Sequence, residues 1–227
     1  MAAIVLVHGL WSDGSVWAKV MTELRALGHE PVAAQLGLET MDDDVASVRR
    51  TLATVSGPVL LVGWSYGGAV IGEAARGDAA VGALAYLAGF APAEGESVSE
   101  LSRRSPGSLL PQHVVVAGNY TYIDREHFGE VMAADAPADE IANAAATQRM
   151  VRIGVDRVKV GPPAWQDLPT HYLVAIADRV IPAALQRELA SRMGATVCEL
   201  ETGHAAMLSR PREVAEFLAA ACGSLGD

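Results

Sequence analysis

Short runs of aliphatic and β-branched residues alternate with segments of helical period along most of this chain, and the runs carry no polar alternation. A strand that is apolar on both faces needs cover on both, which in practice means a parallel sheet between two layers of helix. Ile4 to Val7 is followed by a helical stripe of Val16, Trp17, Val20, Met21, Leu24 and Leu27, stopped by Gly28. Pro31 to Ala34 precedes a helix opened by Asp42, Asp43 and Asp44, with Val45, Val48, Leu52 and Val55 on one face. Pro58 to Val62, Val81 to Leu87, Leu173 to Ile176 and Thr196 to Leu200 read as further strands. Helices are expected from about Ala183 to Met193 and from Pro211 to about Cys222. The expected class is α/β: a doubly wound, mostly parallel sheet of six strands.

Between Pro92 and Pro169 the rhythm breaks. Prolines 106, 111, 137, 162 and 163 fall here, with helical patches such as Asp139 to Met150. Residues of about 93–168 therefore read as an insertion of roughly 75 residues, a helical cap over one end of the sheet within a single domain 1–227.

At 51% hydrophobic and 19% charged, the chain can build a full core for one domain. Its net charge of −10 has the wrong sign for gathering phosphates, so nucleic acid is not an expected partner. Mean hydropathy is positive, +0.23, yet no apolar run approaches the ~18 residues of a membrane span. The N-terminal apolar run is about six residues long and lacks a basic flank, which fits a first strand rather than a signal peptide. A soluble, cytoplasmic protein is expected. Cys198 and Cys222 sit in apolar sequence, as reduced buried thiols would, and neither has a partner at metal-ligand spacing.

The chemistry centres on Gly63-Trp64-Ser65-Tyr66-Gly67-Gly68, placed directly after one strand and before a helical stretch. That context makes it a nucleophile elbow: a sharp turn presents the serine, and the flanking glycines let helix and strand approach. Such a serine needs a base and an acid that follow it in the order Ser, Asp/Glu, His. Of six histidines, His204 lies just past the last strand; His8, at the end of the first, has the wrong order and suits a loop-shaping role. Asp178, after the penultimate strand, is the expected acid, with Glu199 and Glu201 as competitors; it could equally cap the next helix. An oxyanion hole is expected from the backbone N–H groups of Tyr66 and Leu10. Trp11, Trp64, Tyr120, Tyr122 and Phe128 are candidates for the substrate pocket wall. No dinucleotide, phosphate-loop or zinc-protease motif occurs, so neither cofactor nor metal is expected. The Asp42–Asp44 run is explained by the helix dipole rather than by calcium.

These residues resemble the α/β-hydrolase superfamily, and within it the compact esterases that include plant methylesterases of the salicylic-acid-binding type, hydroxynitrile lyases and bacterial esterases. The likeness rests on Val7-His8-Gly9 with Trp17, Gly28-His29, the Ser65 motif, Asp178 with Ile181-Pro182, and His204 with Met207. It implies strand order 2-1-3-4-5-6, a helical cap, a Ser65/Asp178/His204 triad and an oxyanion hole at Leu10 and Tyr66. The lyases similar to this chain carry Thr at the position of Gly9 and Lys at that of Ala205. The expected function is therefore a serine hydrolase acting on a small-to-medium, mostly apolar neutral ester or lactone, with a monomer or homodimer as the expected state. The alternatives are a hydrolase-fold ligand-binding protein with little turnover, and cofactor-free perhydrolase or hydroxynitrile-lyase-like activity.

Overall fold

The computed structural model describes residues 2–225. The chain opens with β1 (Ala3–Val7), α1 (Ala18–Ala26), β2 (Glu30–Ala34), α2 (Met41–Leu52), β3 (Val59–Trp64), α3 (Tyr66–Ala74) and β4 (Val81–Leu87). It then leaves the sheet through α4 (Val98–Ser102), α5 (Leu110–His113), β5 (Val114–Ala117), β6 (Tyr120–Ile123), α6 (Phe128–Met132), α7 (Ala138–Thr147) and β7 (Val151–Arg152). It returns as β8 (Thr170–Ala175), α8 (Ala183–Arg192), β9 (Thr196–Leu200), α9 (Ala206–Ser209) and α10 (Pro211–Ala221).

The six main strands pair in the order β2-β1-β3-β4-β8-β9, every pair parallel. This is the order that the family resemblance implies and the α/β class that the strand and helix pattern predicts. α1 packs against α10 and α2 against α3, giving the sheet its two helical covers. β1 and β3 are buried at every residue, which accounts for their lack of alternation. Local signals set the helix limits: Thr40 Oγ1 accepts the Asp43 N–H at the start of α2, and Gly28, at φ +84°, takes the left-handed turn after α1. Among the described residues, no helix is long and apolar enough to cross a membrane.

Several expectations need correction. β9 lies at the sheet edge and is exposed along most of its length, so Cys198 is exposed rather than buried; Cys222 is half-buried, and both are free thiols. An edge strand has one neighbour only, and most residues of β9 meet solvent. Leu27 lies beyond the last turn of α1 and is 50% exposed instead of joining the apolar stripe. The excursion between β4 and β8 is not purely helical: β5, β6 and β7 form a three-stranded antiparallel sheet, its first hairpin turning at Gly118-Asn119.

Candidate active site

In a parallel sheet all strands end on the same side, and ligand sites gather there. Each residue singled out for chemistry sits just past such an end: His8 to Leu10 after β1, Ser65 after β3, Asp178 after β8 and His204 after β9. Ser65 occupies the strand-to-helix turn at φ 56° and ψ −124°, a conformation costly for a residue with a side chain. Its backbone is held on both sides. Ser65 N–H donates to Leu87 O at 3.2 Å, while Ser65 O accepts from Gly68 N at 3.0 Å and Phe90 N at 2.9 Å. The glycines are required by contact: a Cβ on Gly63 would lie 2.5 Å from Gly67 O, and one on Gly67 would lie 2.7 Å from both Val7 O and His8 O.

Asp178 and His204 meet directly. His204 Nδ1 donates to Asp178 Oδ2 at 2.7 Å, with both side chains fully buried. Asp178 Oδ1 accepts the Val180 and Ile181 N–H groups at 2.7 and 2.9 Å, so the carboxylate also caps its own turn, one oxygen for each task. Gln186, which sequence reasoning missed, is buried on α8 and donates from Nε2 to Asp178 Oδ2 at 2.8 Å; its Oε1 accepts Ala175 N–H. The competitors are elsewhere. Glu199 is exposed and paired with Arg187, whose guanidinium holds its carboxyl below the usual range, and Glu201 is exposed.

With Nδ1 committed to Asp178, His204 Nε2 is the nitrogen left over. It is buried, and among the described residues it has no hydrogen-bond partner. Trp64 sets its place. The indole Nε1–H donates to His204 O at 2.8 Å, and the two rings lie 5.2 Å apart, so the residue preceding Ser65 holds the histidine loop beside the elbow. Ser65 Oγ forms no hydrogen bond with His204 Nε2.

The loop after β1 lies against the serine: a Cβ on Gly9 would fall 2.7 Å from Ser65 Cβ and 3.3 Å from Oγ. Neither the Leu10 N–H nor the Tyr66 N–H finds an acceptor among the described residues, Tyr66 being the first residue of α3, where helical N–H groups are orphaned. His8 shapes this loop from beneath. Its Nε2 accepts Leu36 N–H at 3.0 Å and its Nδ1 donates to Gly9 O at 2.8 Å, a pattern only the neutral ring can make. Burial lowers its pKa to about 4. The aspartate run is also more than a dipole device: Asp44 is fully buried, with its pKa raised by burial, and accepts from Tyr66 OH at 2.9 Å and Leu38 N–H at 3.0 Å.

A cavity of about 160 Å³ is lined by chain neighbours of these groups, although Ser65, His204, Leu10 and Tyr66 do not themselves line it. Trp11, Trp64 and Ala205 line it, each one residue along the chain from Leu10, Ser65 and His204, together with Phe128 and Met132 of α6 and Glu140, Asn143 and Ala144 of α7. Of the five expected wall residues, Trp11, Trp64 and Phe128 line this cavity and Tyr120 and Tyr122 do not. The two tyrosines belong to β6, where Tyr120 OH donates to Glu39 and arginines 152 and 125 stack over the two rings. Two residues apart on one strand, the tyrosines share one face of the small antiparallel sheet. Among the described residues, no group of three or more His, Cys, Asp or Glu side chains is arranged to hold a metal ion.

A family model described as the alpha/beta hydrolase family matches residues 4–217. A carbendazim hydrolyzing esterase of Nocardioides sp. (strain SG-4G) is 28% identical over 261 residues, covering 97% of this chain and 99% of that protein. A pyrethroid hydrolase of Sphingobium wenxiniae is 28% identical over 242 residues, covering 95% of this chain and 86% of that protein. Among solved structures, a pyrethroid hydrolase from Sphingobium faniae JZ-2 superposes with a TM-score of 0.83 at 25% identity, covering 96% of each chain. Polyneuridine aldehyde esterase superposes with a TM-score of 0.85 at 19% identity, over 97% of this chain and 99% of that one, a likeness of fold alone. A matched family model spanning nearly the whole sequence, together with this sheet order, establishes that the chain belongs to the alpha/beta hydrolase family.

Proposed function

We propose that this carboxylic ester hydrolase cleaves its substrates through an acyl-enzyme on Ser65, with His204 as general base and Asp178 as its orienting acid. The observation that carries this reading is the buried 2.7 Å bond from His204 Nδ1 to Asp178 Oδ2, which leaves Nε2 without a partner beside the elbow. A neutral imidazole with its proton on Nδ1 presents a lone pair on Nε2, the state needed to take the Ser65 proton. Ser65 Oγ then attacks the ester carbonyl, and the Leu10 and Tyr66 N–H groups receive the developing oxyanion. His204 returns the proton to the leaving alcohol, and water, activated by the same nitrogen, releases the acid.

The cavity supports a small substrate. A void of roughly 150 Å³ holds one benzene ring, so about 160 Å³ accommodates a short acyl chain or a single ring. Its lining includes Asp13, while Glu140 is paired with Lys19 at 2.8 Å, and with the chain's net charge of −10 this favours neutral over anionic esters.

The test is hydrolysis of nitrophenyl acetate by wild type and Ser65→Ala. The variant is expected to lose at least ~10³-fold in kcat, the remainder coming from binding and the oxyanion hole. Near-wild-type turnover in Ser65→Ala would overturn the reading.

A further inference from the structure

The loop that carries His204 is bound along its length to one turn of the excursion between β4 and β8. Asp135, between α6 and α7, is exposed at the surface, yet its carboxylate forks inward. Thr202 Oγ1 donates to Asp135 Oδ2 at 2.8 Å and Gly203 N–H donates to Oδ1 at 3.1 Å. Ala205 N–H donates to Met132 O at 2.8 Å. Residues on both sides of His204 are thus held by the 132–135 turn, while Trp64 holds the His204 carbonyl from the opposite side. The approach is close enough that a Cβ on Gly203 would lie 2.9 Å from Asp135 Oδ1. Thr202 is itself buried, and its hydroxyl also lies 2.9 Å from Ser209 Oγ. The same turn continues α6, whose Phe128 and Met132 line the cavity together with Trp64 and Ala205, the chain neighbours of Ser65 and His204.

We infer that Asp135 is a positioning residue for the hydrolytic site: its two-point hydrogen bond to Thr202 and Gly203 fixes His204 and ties it to the helix that walls the substrate cavity. This rests on the reading of His204 as the base. Asp135 does not touch the reacting atoms; it acts through the loop. A fork that binds two adjacent donors fixes both the position and the orientation of a segment, and a displacement of about 1 Å at a base can cost ~100-fold in rate.

The chemistry of the fork gives a discriminating pair of variants. Asp135→Ala removes both acceptors. Asp135→Asn keeps an acceptor for Gly203 N–H, and its amide N–H can donate to Thr202 Oγ1 once that hydroxyl turns its own hydrogen towards Ser209. Expected for Asp135→Ala is a fall in kcat for nitrophenyl acetate on the order of 10–100-fold with KM unchanged, and an equal fall in the rate at which a fluorophosphonate labels Ser65. Asp135→Asn is expected to recover most of both rates. Wild-type rates in Asp135→Ala would overturn the inference, and so would an Asn variant as slow as the Ala variant, since that outcome assigns the effect to charge and not to the fork. Should Ser65→Ala retain full turnover, the site reading itself fails. The low-field proton resonance of His204 Nδ1–H then decides for Asp135: lost or broadened in Asp135→Ala it supports the positioning role, and unaltered it overturns it.

Discussion

The indole of Trp64 donates its N–H to the backbone carbonyl of His204 across 140 residues of sequence, at 2.8 Å. The turn that carries Ser65 is therefore tied directly to the loop that carries His204. Trp64→Phe keeps the ring against the imidazole but leaves a buried carbonyl without its donor. The cost expected is about 1–3 kcal/mol of stability. Because the carbonyl belongs to His204, kcat is expected to fall roughly tenfold with little change in KM. Steady-state kinetics with thermal melts check this; a rise in KM with kcat unchanged would show that Trp64 acts as cavity wall and does not position His204.

Asp178 divides its oxygens between two duties, and the division makes its amide analogue diagnostic. In Asp178→Asn the carbonyl oxygen is needed by the Val180 and Ile181 N–H groups, which bond Oδ1 at 2.7 and 2.9 Å. The amide NH₂ must then face His204 Nδ1 and Gln186 Nε2, both of which donate in the native protein. His204 is driven to the tautomer with its proton on Nε2, unable to accept from Ser65. The fold is expected to persist and kcat to fall by on the order of 10³-fold or more. A variant running at full speed would move the acid to another residue.

His8 links the loop after β1 to pH. Its pKa is lowered by burial to about 4, while the unfolded imidazole titrates near 6.5. Above about pH 6.5 both states hold a neutral ring and stability is unaffected. As pH falls from there towards 4, the unfolded chain binds a proton that the folded one refuses, and stability declines by about 3 kcal/mol in all. Protonation of the folded ring would also set its Nε2–H against the Leu36 N–H that it now accepts. Following the His8 ring resonances against pH checks the account: a midpoint near 4 is expected, and one near 6.5 would contradict it.

Ser65, Asp178 and His204 were legible because each stands one short turn beyond a strand of a parallel sheet, so the strand pattern alone brings their backbones to one edge. Gln186, Asp44 and Asp135 carry no such signature. Each reaches its partner by side chain across 8, 22 and 68 residues, and a polar residue on an apolar helix face or in an exposed turn looks the same whether or not it has a buried partner. The small antiparallel sheet left a trace that the composition hid. Val114 to Ala117 and Tyr120 to Ile123 flank Gly118-Asn119, a two-residue hairpin signal, within a stretch dominated by prolines and helical patches. The exposure of Cys198 leaves no trace in sequence, because nothing in an apolar strand marks it as the outermost of the sheet.

The measurement closest to the central claim is intact-mass analysis after mixing the protein with a fluorophosphonate. Wild type is expected to gain one adduct within seconds to minutes, mapped by fragmentation to Ser65, while Ser65→Ala gains none and His204→Ala reacts slower by on the order of 10³-fold. A wild-type protein that stays unlabelled, or one whose adduct lies away from Ser65, would contradict the account.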